Sequence, residues 1–248
     1  MTLDGRRVLV TGGGSGSGAD LASGFANAGA EVVIVGRRTD LLSEVASRSA
    51  RIRAMTADIT NEVEVVRLFT VTGPFDIVIA NAGVAASAPL TKTSLEMWRS
   101  IIDVNLTGVF LTLREGLRNM QDLGWGRLIT IASTTGLKGY PYVSAYAASK
   151  HGAVGLTRSI AQEVAKTGIT ANALCPGYLN TEMTERSIAN IISTTGRTRE
   201  QAVAALTRSN PQGRFIEPAE VTAAALWLCG PGSDAINGRA IAIDGGEL

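Results

Sequence analysis

A tyrosine and a lysine stand four positions apart in the segment SAYAASKHG, at Tyr146 and Lys150. Residues four apart share one face of an α-helix, so we expect the two side chains to lie side by side. An ammonium about 5 Å from a phenol, at an effective dielectric of about 20, favours the phenolate by roughly 3 kcal/mol and lowers its pKa by about 2. The pair therefore predicts a tyrosine that works as an acid or base near neutral pH. An isolated pair of this spacing is more often a half-buried tyrosine beside a solvated lysine, so the other motifs must decide.

Glycines crowd the segment VTGGGSGSGAD, which follows the first predicted strand and opens a helix. Gly12, Gly16 and Gly18 have the spacing G-x-x-x-G-x-G. Glycine lets the backbone turn with positive φ and approach a phosphate closely, and the N–H groups at a helix start attract its negative charge. A tight turn alone would explain one or two of these glycines, but not the whole cluster. The loop therefore predicts a site for the pyrophosphate of a dinucleotide.

The end of the second predicted strand, VVIVGRR, indicates which dinucleotide binds. An acidic residue there would bind the ribose 2′-hydroxyl of NAD, but the position holds Gly36, followed by Arg37 and Arg38. Guanidinium groups bind a 2′-phosphate through paired, charge-assisted hydrogen bonds, so NADP(H) is favoured over NAD(H). The alternative is that both arginines are solvated and NAD binds. Asp58, which ends the third strand, could accept a hydrogen bond from the adenine amino group or cap a helix.

Composition narrows the class of partner. The chain has 248 residues, 45% of them hydrophobic, and we expect a single α/β domain over residues 1–248. Its 23 basic and 22 acidic residues leave a net charge of +1, so we expect a small-molecule partner rather than nucleic acid or a membrane. Cys175 and Cys229 form no disulfide framework and match no zinc spacing, so no metal site is expected. The sequence shows neither a signal peptide nor an apolar run long enough to span a bilayer, and we expect a cytoplasmic protein.

Short apolar runs alternate with segments of helical period along most of the chain, a pattern typical of βαβ units. Seven such runs predict a parallel sheet covered by helices on both faces, at residues 6–12, 31–36, 51–58, 75–83, 127–133, 169–177 and 239–246. Helices are predicted at residues 17–29, 40–48, 61–70, 94–120, 144–166 and 219–229. Roughly two further amphipathic segments at 180–216 interrupt the alternation. They form a candidate lid over the carboxyl ends of the strands, or else a peripheral helical hairpin.

Together, these motifs resemble the short-chain dehydrogenase/reductase family, almost from end to end of the chain. The matching residues are Thr11-Gly12-x-x-x-Gly16-x-Gly18, Asn81-Ala82-Gly83, Asn105 in DVNLTG, Ser133 in ITIAS, Tyr146-x-x-x-Lys150, and Pro176-Gly177 followed by Thr181. The resemblance implies a three-layer, Rossmann-like, doubly wound α/β fold and a catalytic tetrad of Asn105, Ser133, Tyr146 and Lys150. The segment 180–216 and the C-terminal sequence resemble the branch with 3-hydroxybutyrate dehydrogenases and 3-oxoacyl thioester reductases.

The residue types and the resemblance assign a role to each member of the tetrad. Ser133 can hold the substrate oxygen against Tyr146, which donates a proton in reduction and removes one in oxidation. The family implies that Lys150 also binds the nicotinamide ribose, that Asn105 holds a water linking the lysine to solvent, and that Thr181 binds the carboxamide. The expected cofactor site comprises Thr11, Gly12, Gly14, Ser15, Gly16, Ser17, Gly18, Arg37, Arg38, Asp58, Ile59, Asn81, Ala82, Gly83, Tyr146, Lys150, Pro176, Gly177 and Thr181.

Two residues depart from the simplest interpretation of these motifs. His151, the only histidine, follows Lys150 directly but points to another helix face, so we do not expect it to be the catalytic base. Ser17 stands where the resembled family usually has an aliphatic residue under the nicotinamide. The serine predicts a smaller and more polar surface under the nicotinamide, so the affinity for the cofactor should differ from that of the family pattern.

The substrate wall should come from residues 134–144, from Tyr178 and from the segment 180–216. The expected substrate contacts are Ser133, Thr135, Tyr140, Tyr142, Tyr178 and Met183, a mixed surface that suits a carbonyl with an apolar body. In the resembled hydroxybutyrate dehydrogenases a histidine and a lysine occupy the positions of Thr135 and Val143, and neither residue here can pair with an anion. Lys138 could supply an anion site if it turned inward.

The expected reaction is therefore reduction of a 3-oxoacyl thioester or a similar apolar ketone. A 3-hydroxybutyrate-type dehydrogenase and a cyclic or aryl alcohol dehydrogenase are alternatives. A non-catalytic dinucleotide sensor is a further one, although it would not need all four catalytic groups. The resemblance also implies a homotetramer built through the helices at 94–120 and 144–166 and the C-terminal segment, which Trp227, Leu228 and the apolar tail could support.

Overall fold

The computed structural model describes residues 2–248, which form one parallel sheet of seven strands. The strands are β1 (Arg7–Thr11), β2 (Glu31–Gly36), β3 (Ile52–Thr56), β4 (Ile77–Ala80), β5 (Gly126–Ile131), β6 (Ile169–Pro176) and β7 (Ala240–Ile243). Their order in the sheet is β3-β2-β1-β4-β5-β6-β7. The order reverses between β1 and β4, and ligands of open α/β sheets bind at such a point, beyond the carboxyl ends of the strands.

Helices cover both faces of the sheet. They are α1 (Gly16–Asn27), α2 (Thr39–Ala46), α3 (Glu62–Thr72), α4 (Leu95–Ile102), α5 (Gly108–Met120), α6 (Ser144–Glu163), α7 (Glu182–Thr195), α8 (Arg199–Thr207) and α9 (Pro218–Leu228). Helices α1, α2 and α9 supply apolar side chains to one core cluster, whereas α3, α5 and α6 supply the other. Alternate residues of β1 divide between the clusters, because successive strand side chains point to opposite faces. The predicted three-layer, doubly wound α/β fold is confirmed.

The predicted helix at 94–120 is not continuous. Helices α4 and α5 are separated by a π-helical turn at Asp103–Thr107, which contains Asn105. The Asn105 side chain is fully buried and bonds to the backbone of Val84, so it leaves the helix surface to join the loop after β4. Such π-turns are rare and frequently lie at functional sites.

The segment 180–216 contains helices α7 and α8, joined by a bidentate ion pair. Arg199 donates to both carboxylate oxygens of Glu185, each at 2.8 Å. The two ends of the segment meet where Leu179 pairs with Ile216 in an isolated parallel bridge. The segment is therefore a folded helical pair with closely spaced ends, and its action as a lid stays a prediction.

The C-terminal part of the chain divides between core and surface. Leu228 is 1% exposed and packs in the core with α1, whereas its neighbour Trp227 is 52% exposed. The sequence suggested both residues for a subunit contact, but burial leaves only the tryptophan accessible. Within residues 2–248, no helix has the length and apolarity needed to traverse a lipid bilayer.

Candidate active site

Three predicted catalytic side chains meet at the carboxyl end of β5. Ser133 follows that strand directly, and Tyr146 and Lys150 project from the first turns of α6. The Lys150 ammonium is buried, at 3% exposure, and donates a hydrogen bond of 2.9 Å to the carbonyl oxygen of Ile131 in β5. Its Nζ lies 5.7 Å from the centroid of the Tyr146 ring. The helix spacing and the strand end therefore bring the predicted pair together.

Burial, rather than the neighbouring lysine, dominates the ionisation of Tyr146. Burial raises the pKa of its phenol to about 12, a hydrogen bond with Ser133 acts in the opposite direction, and the Tyr178 phenol raises the pKa further. The expectation that Lys150 alone would bring this pKa down is wrong for the protein without cofactor. Burial also lowers the pKa of Lys150 to about 8, partly opposed by Cys175. The Lys150 ammonium donates its hydrogen bond to the Ile131 carbonyl, and no hydrogen bond joins it to the Tyr146 hydroxyl within the described residues.

Ser133 is held in place by the short turn that follows it. Its backbone is extended, and its Oγ accepts a hydrogen bond of 3.1 Å from the Thr135 N–H. The same hydroxyl lies 3.2 Å from the Oγ1 of Thr135, to which it donates. Both side chains are buried, at 8% exposure each. Thr135 therefore orients Ser133, a function beyond the substrate contact that the sequence predicted for it.

Asn105 connects the loop after β4 with the helix that carries Tyr146 and Lys150. Its Oδ1 accepts from the Val84 N–H at 2.8 Å, and its Nδ2 donates to the Val84 carbonyl at 2.9 Å and to the Ser149 hydroxyl at 3.2 Å. The Ser149 hydroxyl in turn donates to the Tyr146 carbonyl at 2.7 Å. The amide thus joins the loop after β4 to α6. These bonds use both protons of Nδ2, so the expected water would have to donate to Asn105, through the second lone pair of Oδ1 or through the backbone carbonyl.

The glycine loop fits a pyrophosphate. Gly12 and Gly16 have φ values of +68° and +51°, in the left-handed region that favours glycine. A Cβ at Gly18 would lie 2.1 Å from the Gly12 carbonyl oxygen, so only glycine allows α1 to start this close to the loop. Ser15 precedes α1 in an extended conformation and makes no capping hydrogen bond to the described residues. The first N–H groups of the helix can therefore serve an anion.

Hydrogen bonds connect the glycine loop to the end of β4. The Thr11 hydroxyl accepts from the N–H groups of Asn81 and Ala82, at 3.0 and 3.1 Å. Asn81 Nδ2 donates to the Thr11 carbonyl at 2.9 Å, and its Oδ1 accepts from the Ser17 hydroxyl at 2.8 Å. Thr11 is 1% exposed and its hydrogen bonds hold the end of β1 against the end of β4, so its role is structural. Ser17, the departure from the family pattern, has a hydrogen-bond partner of its own.

The end of β2 exposes two guanidinium groups next to the glycine loop. The Arg37 Nη1 lies 3.8 Å from the Asp58 carboxylate, and Arg38 donates a hydrogen bond of 2.9 Å to the Ser15 hydroxyl. Burial acts to raise the pKa of Asp58, but hydrogen bonds from Thr60 and the charge of Arg37 outweigh it and hold the pKa below its usual value. Asp58 is therefore a carboxylate at neutral pH, already partnered by Thr60.

The remaining predicted cofactor residues lie around this edge. Ile59 is 7% exposed, and its side chain packs against Gly108 at the start of α5, so its predicted contact with the cofactor would have to come from its backbone. Thr181 precedes α7 and makes no capping bond within the described part of the chain. A Cβ at Gly16 would lie 3.3 Å from the Thr181 methyl group, so the threonine stands across from the glycine loop. Gly14, Gly83, Pro176 and Gly177 are backbone positions of the same edge, in the loops after β1 and β4 and at the end of β6.

The predicted substrate wall is assembled from distant parts of the chain. Tyr178 and Met183 are each 40% exposed, and Tyr142 is 66% exposed with a φ of 68°, rare for a bulky residue. The Tyr140 hydroxyl does not face an empty site, because it donates to the carboxylate of Glu247. Sequence reasoning missed Glu247. The Asp-Gly-Gly turn that precedes it was a usable signal for an ordered C-terminal tail.

Comparisons with known proteins agree with this geometry. A sequence model of the family described as short chain dehydrogenase matches residues 6–192. The chain is 36% identical to the D-beta-hydroxybutyrate dehydrogenase of Rhizobium meliloti (strain 1021), over 97% of this chain and 98% of that protein. It is 33% identical to the acetoacetyl-CoA reductase of the same strain, over 98% of each. A crystal structure of an actinorhodin polyketide ketoreductase variant with NADPH superposes with a TM-score of 0.91 at 32% identity, over 98% of this chain and 97% of that one.

Proposed function

The chain belongs to the short-chain dehydrogenase family, and from this premise we propose that it reduces a 3-oxoacyl thioester or a similar apolar ketone with NADPH. The reaction class, NAD(P)-dependent interconversion of a secondary alcohol and a ketone, follows from the family. The observation that carries the proposal is the meeting of Ser133, Tyr146 and a buried Lys150 at the carboxyl end of β5. This edge also holds the glycine loop, so the reacting groups lie beside the expected dinucleotide.

The side chains divide the work of proton transfer between them. Ser133, oriented by the Thr135 N–H, would turn its hydroxyl proton from Thr135 Oγ1 to the substrate carbonyl oxygen and hold that oxygen against Tyr146. Tyr146 donates its proton to the alkoxide in reduction and takes it back in oxidation. Lys150, whose Nζ lies 5.7 Å from the centroid of the Tyr146 ring, would bind the nicotinamide ribose. The bound nicotinamide supplies the hydride and, when oxidised, a positive charge that favours the phenolate.

A preference for NADP(H) over NAD(H) is part of the proposal. Gly36 supplies no carboxylate to bind a ribose 2′-hydroxyl or to repel a 2′-phosphate. Arg37 and Arg38 stand at the end of β2 with exposed side chains, one beside Asp58 and one bonded to Ser15. Two guanidiniums on either side of the expected ribose position are suited to a phosphate.

The substrate class is argued from the wall of the site. The neutral side chains of Thr135 and Val143 offer no cation for a substrate carboxylate, which favours a thioester or a neutral ketone over a free 3-oxo acid. Thr135 is moreover engaged by Ser133. A 3-hydroxybutyrate-type activity remains the second candidate, because the hydroxybutyrate dehydrogenase relative is 36% identical over 97% of the chain.

The segment 180–216 acts as the lid of this single catalytic domain.

The direct test is oxidation of NADPH, followed by nicotinamide absorbance, with 3-oxoacyl thioesters and with cyclic and aryl ketones. Tyr146→Phe should lower kcat by about a thousandfold, because it removes the proton that general acid catalysis needs. Tyr142→Phe, which removes the hydroxyl of an exposed tyrosine on the same wall, should leave kcat within about threefold. NADPH binding, measured by calorimetry, should persist in both variants and weaken only slightly in Tyr146→Phe, which loses one of the expected cofactor contacts. A Tyr146→Phe enzyme of normal activity would overturn the proposed mechanism.

We also propose that the active form is a cytoplasmic homotetramer. Helices α4 to α6 and the C-terminal segment would provide its contacts. The exposed ring of Trp227 on α9 and the edge strand β7 beside it support that arrangement.

A further inference from the structure

The C-terminal tail carries a buried carboxylate into the wall of the proposed substrate site. After β7, Asp244 accepts hydrogen bonds from the N–H groups of Gly246 and Leu248, each at 3.0 Å. Gly245 and Gly246 have φ values of +69° and +97°, which permit the sharp turn that these bonds close. The turn fixes the direction of Glu247, whose side chain is 4% exposed.

The Glu247 carboxylate joins two residues of the loop after β5. Its Oε1 accepts a hydrogen bond from the Tyr140 hydroxyl at 2.5 Å and forms an ion pair with the Lys138 ammonium at 3.1 Å. The Lys138 Nζ also lies 5.1 Å from the centroid of the Tyr140 ring. The lysine side chain is 40% exposed, whereas the carboxylate is almost inaccessible. Glu247 therefore neutralises the cation that the sequence offered for an anionic substrate.

This cluster lies within electrostatic reach of the reacting groups. Burial and then the Glu247 charge raise the pKa of Tyr178. Tyr178, in turn, raises the pKa of Tyr146. The tail also passes close to the end of β6, because a Cβ at Gly177 would lie 3.7 Å from the Cα of Asp244. Glu247 thus contacts Tyr140 and acts on Tyr178, without belonging to the proposed catalytic machinery.

We propose that Glu247 is a specificity-determining residue that restricts the site to carbonyl substrates without a free carboxylate. It does so by pairing with Lys138, so that this lysine is not available to a substrate carboxylate. A free carboxylate at this wall therefore finds no unpaired cation in the loop at 134–144 to compensate for its lost hydration, whereas a thioester or ester needs none. This inference rests on the proposed function and names the substrate class of that same site.

The test compares acetoacetate with ethyl acetoacetate, which share the reacting ketone and differ in the free carboxylate. The wild-type enzyme should prefer the ester. Glu247→Gln, which keeps an acceptor for Tyr140 but frees Lys138, should raise kcat/KM for acetoacetate about tenfold, mainly through KM, and change that for the ester less than about threefold. Adding Lys138→Met to Glu247→Gln should abolish the gain. Glu31→Gln makes the same charge change at an exposed position at the amino end of β2, away from the candidate site, and should alter neither substrate.

The outcomes separate the inference from the proposed function. A wild-type preference for acetoacetate would overturn the inference, as would an equal loss on both substrates in Glu247→Gln, because a tail anchor alone predicts that equal loss. If the wild type reduces neither compound nor any ketone of the wider panel, the proposed function fails. In that case, dissociation constants for the two compounds, measured by NMR titration with NADP⁺ present, decide the inference: Glu247→Gln must tighten binding of acetoacetate but not of the ester.

Discussion

At the residue scale, burial acts on Tyr146 and Lys150 in opposite directions and for one reason. Removing a charged group from water disfavours its charged form, so the pKa of the acid rises and that of the base falls. The pKa values of about 12 for Tyr146 and about 8 for Lys150 follow from this effect. Catalytic sites commonly bury ionisable groups in this way, and such burial lowers the free energy of unfolding.

Replacing the buried lysine should therefore stabilise the fold while removing activity. The pKa of Lys150 falls from 10.5 to about 8 on folding, so the charged lysine destabilises the protein by about 3 kcal/mol below pH 8. Between pH 8 and 10.5 the unfolded chain binds more protons than the folded one, and the penalty disappears as the pH rises. Lys150→Met should raise the free energy of unfolding by about 1 to 3 kcal/mol at pH 7, less what is lost with the bond to Ile131.

Urea unfolding at pH 7 and near pH 10 measures this difference. The gain of Lys150→Met over the wild type should be largest at the lower pH and mostly absent at the higher one. Lys166→Met, at an exposed position after α6, should show no such pH dependence. A variant that is equally destabilised at both pH values would show that the hydrogen bond and packing of Lys150, rather than its charge, dominate its contribution to stability.

At the element scale, the strand ends and helix starts of one sheet edge build the whole candidate site. The loop after β1, the loop after β4 and the start of α6 are held together by Thr11, Asn81 and Asn105, whose side chains satisfy backbone groups that the loops would otherwise leave unpaired. The π-turn between α4 and α5 places Asn105 in that position. The end of β2 is the position expected to distinguish the two dinucleotides.

A carboxylate at the end of β2 should reverse the proposed cofactor preference. A Cβ at Gly36 would approach no atom closer than the Leu42 Cδ2, at 3.7 Å, so the strand end has room for a side chain. Gly36→Asp should lower kcat/KM with NADPH about a hundredfold through repulsion of the 2′-phosphate, and raise it with NADH. Gly36→Asn has the same shape without the charge and should weaken NADPH use much less. An equal loss of kcat/KM with NADPH in the two variants would show that the residue that distinguishes the 2′-phosphate lies elsewhere.

At the scale of the whole molecule, the sheet ends in the edge strand β7, with α9 packed near it. An edge strand exposes unpaired backbone groups, and proteins usually cover or pair such edges. Trp227 on α9 adds an exposed indole at this end, and large apolar side chains on a surface mark contact sites. The tail that carries Glu247 continues directly from β7, so assembly at this end would also bear on the substrate wall.

A charge at Trp227 should break the proposed homotetramer. The wild type should elute with a mass four times that of the 25.8 kDa chain when measured by light scattering. Trp227→Glu should shift it to a smaller species, because a buried unpaired carboxylate in an interface is strongly unfavourable. Val63→Glu, at a 75% exposed position of α3 outside the proposed contacts, should leave the mass unchanged. A wild-type monomer would contradict the proposal.

The sequence by itself determined the sheet, its helical layers and the elements that carry the predicted catalytic and cofactor residues. These predictions used local patterns: the alternation of apolar runs with helical segments, the spacing of glycines, and the four-residue spacing on a helix face. Such patterns indicate secondary structure directly, because they reflect the geometry of neighbouring residues. Gly12, Gly16 and Gly18, together with Tyr146 and Lys150, could be placed on that basis alone. The interruption of the 94–120 helix could not, because it accompanies hydrogen bonds between the Asn105 side chain and Val84, 21 residues away.

Only the tertiary structure decided what surrounds those residues. The pKa of Tyr146 follows from burial, which spacing does not encode, so the sequence argument from Lys150 reached the wrong direction. The contacts of Glu247 with Tyr140 and Lys138 join residues more than 100 positions apart in the chain. Such a contact depends on how the C-terminal turn packs against the loop after β5. The identity of the reacting residues can thus be predicted from local sequence patterns, whereas the charges and burial around them depend on long-range packing.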